Sequence, residues 1–286
     1  MMKRIFTDMD GTLLNSHGRL APSNAAAIKE AAIPVTLVSA RAPMEMLEAI
    51  EALDLTGPQV AFNGGLIYQM KNGKVLPLHI DIIKRKTAQD LLAKVRQHFP
   101  QVSLSYYDLN HWYCDKIDKG IRYEYDLTRQ APTLINDQQP FLQAQENTFK
   151  IMMICFEEEG MRELEKYLQA LELPDVSIQR SGKFYLEITS KNAKKSKGIS
   201  YILKKEGLEK EETAAFGDGH NDLPMLEMVG YPIVMANAFA DIKKVAYKVT
   251  KSNDKDGVGY GIHKFLKGLN HGKHSTNRET QRLFSF

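Results

Sequence analysis

Asp8-Met9-Asp10-Gly11-Thr12-Leu13-Leu14 follows directly on the short apolar run Ile5-Phe6-Thr7. A strand that stops on two aspartates and a glycine is the pattern from which the rest of the chain is read. Residues i and i+2 of an extended chain point to one side. Asp8 and Asp10 are therefore expected to project together beyond the strand's carboxyl end, where open α/β sheets place their ligands. Two carboxylates ~4 Å apart repel by about 4 kcal/mol at an effective dielectric of ~20. Such a pair needs a cation, a shared proton or solvent, and Gly11 allows a tight turn or a close backbone approach beside it.

Working outward, Ser23 is expected to cap a helix over 25–32. The run Pro34-Val35-Thr36-Leu37-Val38-Ser39 is apolar and β-branched at consecutive positions, as a strand buried on both faces would be. Pro43 suits the first turn of a helix carrying Met46, Leu47, Ile50 and Leu53 at helical spacing. Residues 59–62 read as a third strand, and the strand–helix alternation predicts an α/β fold with a parallel sheet wrapped by helices. A hairpin follows, 66–70 and 74–78 around Lys71-Asn72-Gly73. Beyond Asp81 the pattern changes to a helix at 87–99, strands at 102–107 and 149–156, a helix at 159–172 and a strand pair at 176–180 and 184–189. The stretch 112–145 gives no clear pattern. After Ser190 the alternation returns, with helices expected at 197–206, 223–229 and 238–246 and strands at 213–216 and 232–235. The expected organisation is a core of 1–81 plus 189–270, an inserted α+β domain over 82–188, and a polar tail at 271–286.

A chain of 286 residues suggests two domains, or one large one, at roughly 150 residues each. Its net charge of +3 is too small to imply nucleic acid as the main partner. No apolar run approaches the ~18–20 residues that span a bilayer. The acidic Asp8 arrives too early for a secretory leader, so the expectation is a soluble, cytoplasmic protein with no membrane partner. Cys114 and Cys155 form no metal-binding or disulfide pattern and are expected to be buried thiols.

A second acidic segment, Gly217-Asp218-Gly219-His220-Asn221-Asp222, also follows an apolar strand. Hard oxygen ligands from two strand ends suit Mg²⁺. The segment is not GxGxxG, and no Walker A sequence occurs, so a nucleotide cofactor has no motif behind it. Ser39 ends the second strand, where its hydroxyl and the N–H groups of Ala40 and Arg41 are placed to cradle an anion. Lys197 begins a predicted helix after Lys191, Lys194 and Lys195.

With these motifs in order, the chain resembles the Cof-like, subclass IIB branch of the haloacid dehalogenase superfamily. Asp8–Leu14 resembles the family's first motif, Val38-Ser39-Ala40-Arg41 its second, Lys197 its third and Gly217–Asp222 its fourth. Asn63-Gly64-Gly65 matches the branch's segment after the third strand; Ala40 replaces a common glycine. The resemblance implies a Rossmann-like core with an inserted cap. It also implies Asp8 as the nucleophile that forms an aspartyl-phosphate, and Asp10 as the acid and base that serves the leaving alcohol and then water. Mg²⁺ is expected on Asp8, the Asp10 carbonyl and Asp218. Phosphate contacts are expected from Met9, Ser39, Ala40, Lys197 and Asn221, with Arg41, Asn63 and Asp222 supporting. The expected partner is a small phosphorylated metabolite such as a sugar phosphate, chosen by the cap, where Tyr106, Tyr107, Trp112, Tyr113 and Arg122 are candidates and Met152 and Met153 read as core. A phosphomutase or a non-enzymatic aspartyl-phosphate switch would use the same acids. Nucleic-acid binding has only the lysines of 191–197 behind it.

Overall fold

The computed structural model describes residues 1–144 and 147–267; the expected tail at 271–286 lies outside the described residues. In chain order the regular elements are β1 (Arg4–Thr7), α1 (Pro22–Ala31), β2 (Val35–Leu37), α2 (Pro43–Ala52), β3 (Gln59–Ala61), β4 (Leu66–Lys71) and β5 (Lys74–Ile80). There follow α3 (Arg85–His98), β6 (Ser103–Tyr107), β7 (Trp112–Cys114), α4 (Lys119–Thr128), β8 (Thr133–Leu134), α5 (Gln138–Gln143), β9 (Lys150–Ile154), α6 (Glu158–Gln169), β10 (Val176–Arg180) and β11 (Tyr185–Ser190). The last are α7 (Lys195–Glu206), β12 (Thr213–Gly217), α8 (Leu223–Leu226), β13 (Tyr231–Val234), β14 (Lys248–Val249) and α9 (Gly257–Gly261).

Two compact units are formed, one from residues 1–36 with 202–267 and one from 37–201. The first holds a five-stranded sheet in the order β14-β13-β12-β1-β2. Its β1/β12, β12/β13 and β13/β14 pairs are all parallel. Every residue of β1 and β12 is buried, as strands covered on both faces require. Pro22, not Ser23, opens α1: the ring occupies the first turn, where its missing N–H costs nothing, and no side chain caps Ala21. Pro43 opens α2 in the same way, and Glu45 accepts from the Ala42 N–H at 2.6 Å. The helix expected over 238–246 is only a short 3₁₀ turn, Ile242–Val245, and α8 is a single turn.

In the second unit, β3-β4-β5 form an antiparallel sheet and β10-β11-β9-β6-β7-β8 a larger one. Alternation sorts the larger sheet cleanly. Leu104, Ile151, Met153, Leu186 and Ile188 face a core shared with Leu91, Leu92 and Val95 of α3 and Leu164 and Leu168 of α6. The opposite face carries Ser105, Tyr107, Lys150, Met152 and Glu187, also buried. Met152 and Met153 are therefore both buried, on different faces. The stretch 112–145 contains β7, α4, β8 and α5, and Asp118 caps α4 by accepting from the Gly120 and Ile121 N–H groups. Cys114 and Cys155 are free and buried. Among the described residues, no helix is long and apolar enough to cross a membrane.

Candidate active site

In the first unit, β1 and β12 run side by side from Arg4↔Thr213 to Thr7↔Phe216, so the loops leaving them emerge at one end. The Asp8 N–H extends the ladder by one bond to the Phe216 carbonyl, 3.0 Å. Asp8 is thereby held at the start of its loop, 6% exposed. One carboxylate oxygen from each of Asp8, Asp218 and Asp222 lies within 4.8 Å of the others. Gly11 has φ +77°, and a Cβ there would run into the Asp218 carboxylate, so only glycine lets the first acidic loop pass so close to the second.

Other donors fix these acids. The Thr12 hydroxyl donates to Asp218 Oδ1 at 2.8 Å. Asn237 Nδ2 donates to the Gly11 carbonyl at 2.8 Å and to Asp218 Oδ2 at 3.3 Å, and its Oδ1 accepts the Asn253 N–H at 3.1 Å. Asp222 Oδ2 accepts the N–H groups of Asp218 and Gly219 at 3.0 and 2.9 Å, closing the loop on itself. Asn237 was not singled out in the sequence; a polar residue shortly after the apolar run 232–235 is its only signal.

Converging hard oxygens from two loops fit a divalent cation such as Mg²⁺, which prefers carboxylates and water. Asp10 is exposed and stands outside this group. The strand ends at Thr7, and the chain turns at Met9, whose carbonyl accepts the Thr12 and Leu14 N–H groups. Two-residue alternation therefore does not extend to Asp10. Met9 is buried and Asn221 exposed.

The second unit gathers the remaining candidates. Ser39 is fully buried; its N–H donates to Val60, its carbonyl accepts the Asn63 N–H at 2.9 Å, and its hydroxyl oxygen accepts the Arg41 N–H at 3.1 Å. Asn63 adopts a left-handed backbone (φ 56°), and the next residue, Gly64 (φ +99°), lies so close to the Lys194 carbonyl that any Cβ would collide with it. The Asn63-Gly64-Gly65 segment thus ties the Ser39 turn to the start of α7.

Within α7, the two lysines divide. Lys195 is 1% exposed, whereas the Lys197 side chain is 39% exposed and its ammonium is 2.5 Å from Asp81 Oδ2. His79 Nε2 reaches the same oxygen at 2.8 Å. Burial pushes the Asp81 carboxyl up, but hydrogen bonds from Lys197 and His79 outweigh it and leave the group below its ordinary range. Asp81, unflagged in the sequence, is therefore a carboxylate partner that Lys197 already has.

A model of the haloacid dehalogenase-like hydrolases matches residues 5–262, nearly the whole described chain. The chain belongs to this family. Among its relatives, the 5-amino-6-(5-phospho-D-ribitylamino)uracil phosphatase YwtE of Bacillus subtilis is 29% identical over 287 residues, spanning 93% of this chain and 99% of the other. A haloacid dehalogenase-like hydrolase from Bacteroides thetaiotaomicron superposes with a TM-score of 0.83 at 25% identity, covering 92% of this chain and 99% of that one. The subclass IIB sugar phosphatase BT4131 shares the fold, with a TM-score of 0.77 at 21% identity over 92% of this chain and 99% of its own.

As a haloacid dehalogenase-like hydrolase, the protein combines the parallel-sheet core with additional antiparallel sheets. The aromatic candidates in the larger sheet separate by face. Tyr106 stacks on Tyr113, ring centroids 4.9 Å apart, and belongs to the helix-covered core. Tyr107 and Trp112 stack at 5.9 Å on the opposite face, and Arg122 is exposed on α4.

Proposed function

We propose that the protein is a Mg²⁺-dependent phosphatase acting on small phosphomonoesters, sugar and polyol phosphates among them, through an aspartyl-phosphate on Asp8. The convergence of Asp8, Asp218 and Asp222 at the ends of two adjacent parallel strands carries this reading. The phosphatase YwtE, similar along its whole length, supports the reaction class and a phosphorylated polyol as substrate type.

Asp8 is the nucleophile: its carboxylate oxygen attacks phosphorus as the ester oxygen departs. Asp10, exposed and outside the acid cluster, gives a proton to the leaving alcohol and later takes one from water. Asp8 and Asp218, with the Asp10 carbonyl, would hold Mg²⁺, which when bound offsets phosphate charge so that one anion can approach another. Asp222 supports the loop through its two backbone hydrogen bonds. Ser39, with the N–H groups of Met9 and Ala40 and the amide of Asn221, completes the electrostatic cradle.

For the third motif we assign the phosphate contact to Lys195 in preference to Lys197. A fully buried ammonium at the helix start suits a desolvated anion site, while Lys197 is more exposed and paired with Asp81. Residues 82–188 are proposed as the cap that selects the leaving group, within the 37–201 unit. A phosphate-release screen across small phosphomonoesters with Mg²⁺, run beside Asp8→Asn, tests the proposal. Turnover of several esters that disappears in the variant is expected; full turnover by Asp8→Asn refutes it.

A further inference from the structure

The face of the larger sheet opposite α3 and α6 holds a buried charge cluster that the reaction above does not use. Lys150 of β9 is 3% exposed, Glu187 of β11 7%, Glu124 of α4 5% and Glu45 of α2 7%. The Lys150 ammonium stands 3.6 Å from Glu187 Oε1 and 4.6 Å from the centroid of the Tyr107 ring. It donates to the Ala40 carbonyl at 3.3 Å. Burial pulls its pKa down, but the charges of Glu187, Glu45 and Glu124 outweigh that and raise it above the ordinary lysine value.

Ala40 lies in the turn expected to cradle phosphate, and the turn's backbone groups can be traced. Ser39 N–H goes to Val60, the Ser39 carbonyl takes Asn63 N–H, the Arg41 carbonyl takes Phe62 N–H, and Ala42 N–H goes to Glu45. Lys150 supplies the bond to the Ala40 carbonyl. That carbonyl shares one planar peptide with the Arg41 N–H, which donates to the Ser39 hydroxyl oxygen at 3.1 Å. Clamping one side of the peptide fixes the other, and so fixes which lone pair of Ser39 is occupied and where its hydroxyl proton can point. A second bond runs in parallel: the Tyr107 hydroxyl donates to Glu45 Oε1 at 3.4 Å, and Glu45 caps the helix that the turn leads into.

We propose that Lys150 is a positioning residue for phosphate recognition: a lysine from the larger sheet that orients the Ala40–Arg41 peptide, and through it the Ser39 hydroxyl, without touching the substrate. The inference rests on the reading of the Ser39 turn as a phosphate site. The alternative is a lysine that only neutralises its carboxylates, and the two roles differ in what they do to phosphate affinity in protein that is still folded.

The test is calorimetric binding of inorganic phosphate to the full chain with Mg²⁺, with melting temperature recorded alongside. Lys150→Met leaves three buried glutamates short of a cation and is prone to unfold, so Lys150→Met/Glu187→Gln, which removes the pair together, is measured with it, as is Lys150→Arg. The double variant is expected to bind phosphate at least ~10-fold more weakly while melting cooperatively, with Lys150→Arg recovering part of the loss and Ser39→Ala adding little on top of the double variant. A folded double variant that binds phosphate within about twofold of wild type overturns the inference, as does a loss that adds fully to that of Ser39→Ala. Asp8→Asn turnover reports on the underlying reading separately, because phosphate binding does not require the nucleophile. A wild-type protein that binds no phosphate overturns the inference, while turnover that vanishes in Asp8→Asn leaves the underlying reading standing.

Discussion

Each unit of the molecule contains three carboxylates crowded together, and they are built in opposite ways. In the first, Asp8, Asp218 and Asp222 sit on loops just past strand ends, with short side chains held by backbone N–H groups, Thr12 and Asn237. In the second, Glu45, Glu124 and Glu187 reach from a helix, another helix and a strand toward the fixed ammonium of Lys150. Loop carboxylates around a shared point suit an exchangeable cation with its waters. Glutamates arranged around a tethered lysine have a counter-charge that is part of the chain itself. Acid clustering alone therefore does not mark a metal site; what matters is whether the chain supplies its own counter-charge.

The largest effect should come from the first cluster. Asp8→Asn is expected to lower turnover of an aryl phosphate by about 10³-fold or more, since a carboxamide is no nucleophile. Steady-state kinetics measures it, and chelation by EDTA should abolish turnover until Mg²⁺ is returned. Next, Lys195→Met should cost on the order of 10²-fold in kcat/KM, and Lys197→Met less than about threefold. Equal losses would make both lysines part of the anion site, and the reverse order would return the role to Lys197. Asn237→Ala should weaken Mg²⁺ binding by roughly 3–10-fold in a calorimetric titration, because it orients Asp218 without itself being charged.

The second cluster gives the smallest and most diagnostic effect. Burial, then repulsion from Glu45, outweighs the pull of Lys150 and Tyr185 and raises the Glu124 carboxyl from 4.5 to about 7. A carboxyl raised on folding contributes stability below pH 4.5 that is lost as pH climbs through about 7. Glu124→Gln, which imitates the protonated form and can still accept from Tyr185, should match wild type near pH 4.5. It should then become the more stable protein by on the order of 1–3 kcal/mol at pH 8, read from melting curves. A variant less stable than wild type at pH 8 would mean that the Glu124 charge is needed to hold Lys150.

The strands β1, β12 and β13 were legible because buried parallel strands carry consecutive apolar residues, and Pro43 marked its helix; β3 was legible as a strand but pairs in an antiparallel sheet with β4. The two acidic loops were legible for the same reason: each breaks an apolar run with aspartate and glycine. Stretch 112–145 was opaque because β7 and β8 have only three and two residues, too few for alternation to show. The helix expected over 238–246 failed because its apolar spacing was satisfied by a short 3₁₀ turn against β13. Lys195 and Lys197 could not be ranked from a run of lysines, since the distinction lies in burial and in Asp81, more than a hundred residues away in sequence. Lys150 could not be picked out for a similar reason: Glu45, Glu124 and Glu187, whose charges surround it, lie on other elements of the chain.

The most direct test of the account is an anomalous diffraction map from crystals grown with Mn²⁺ as a stand-in for Mg²⁺. A single strong peak bound by the carboxylates of Asp8 and Asp218, lost in Asp218→Ala, is expected. A map with no peak there, or with the ion seated among Glu45, Glu124 and Glu187, would contradict it.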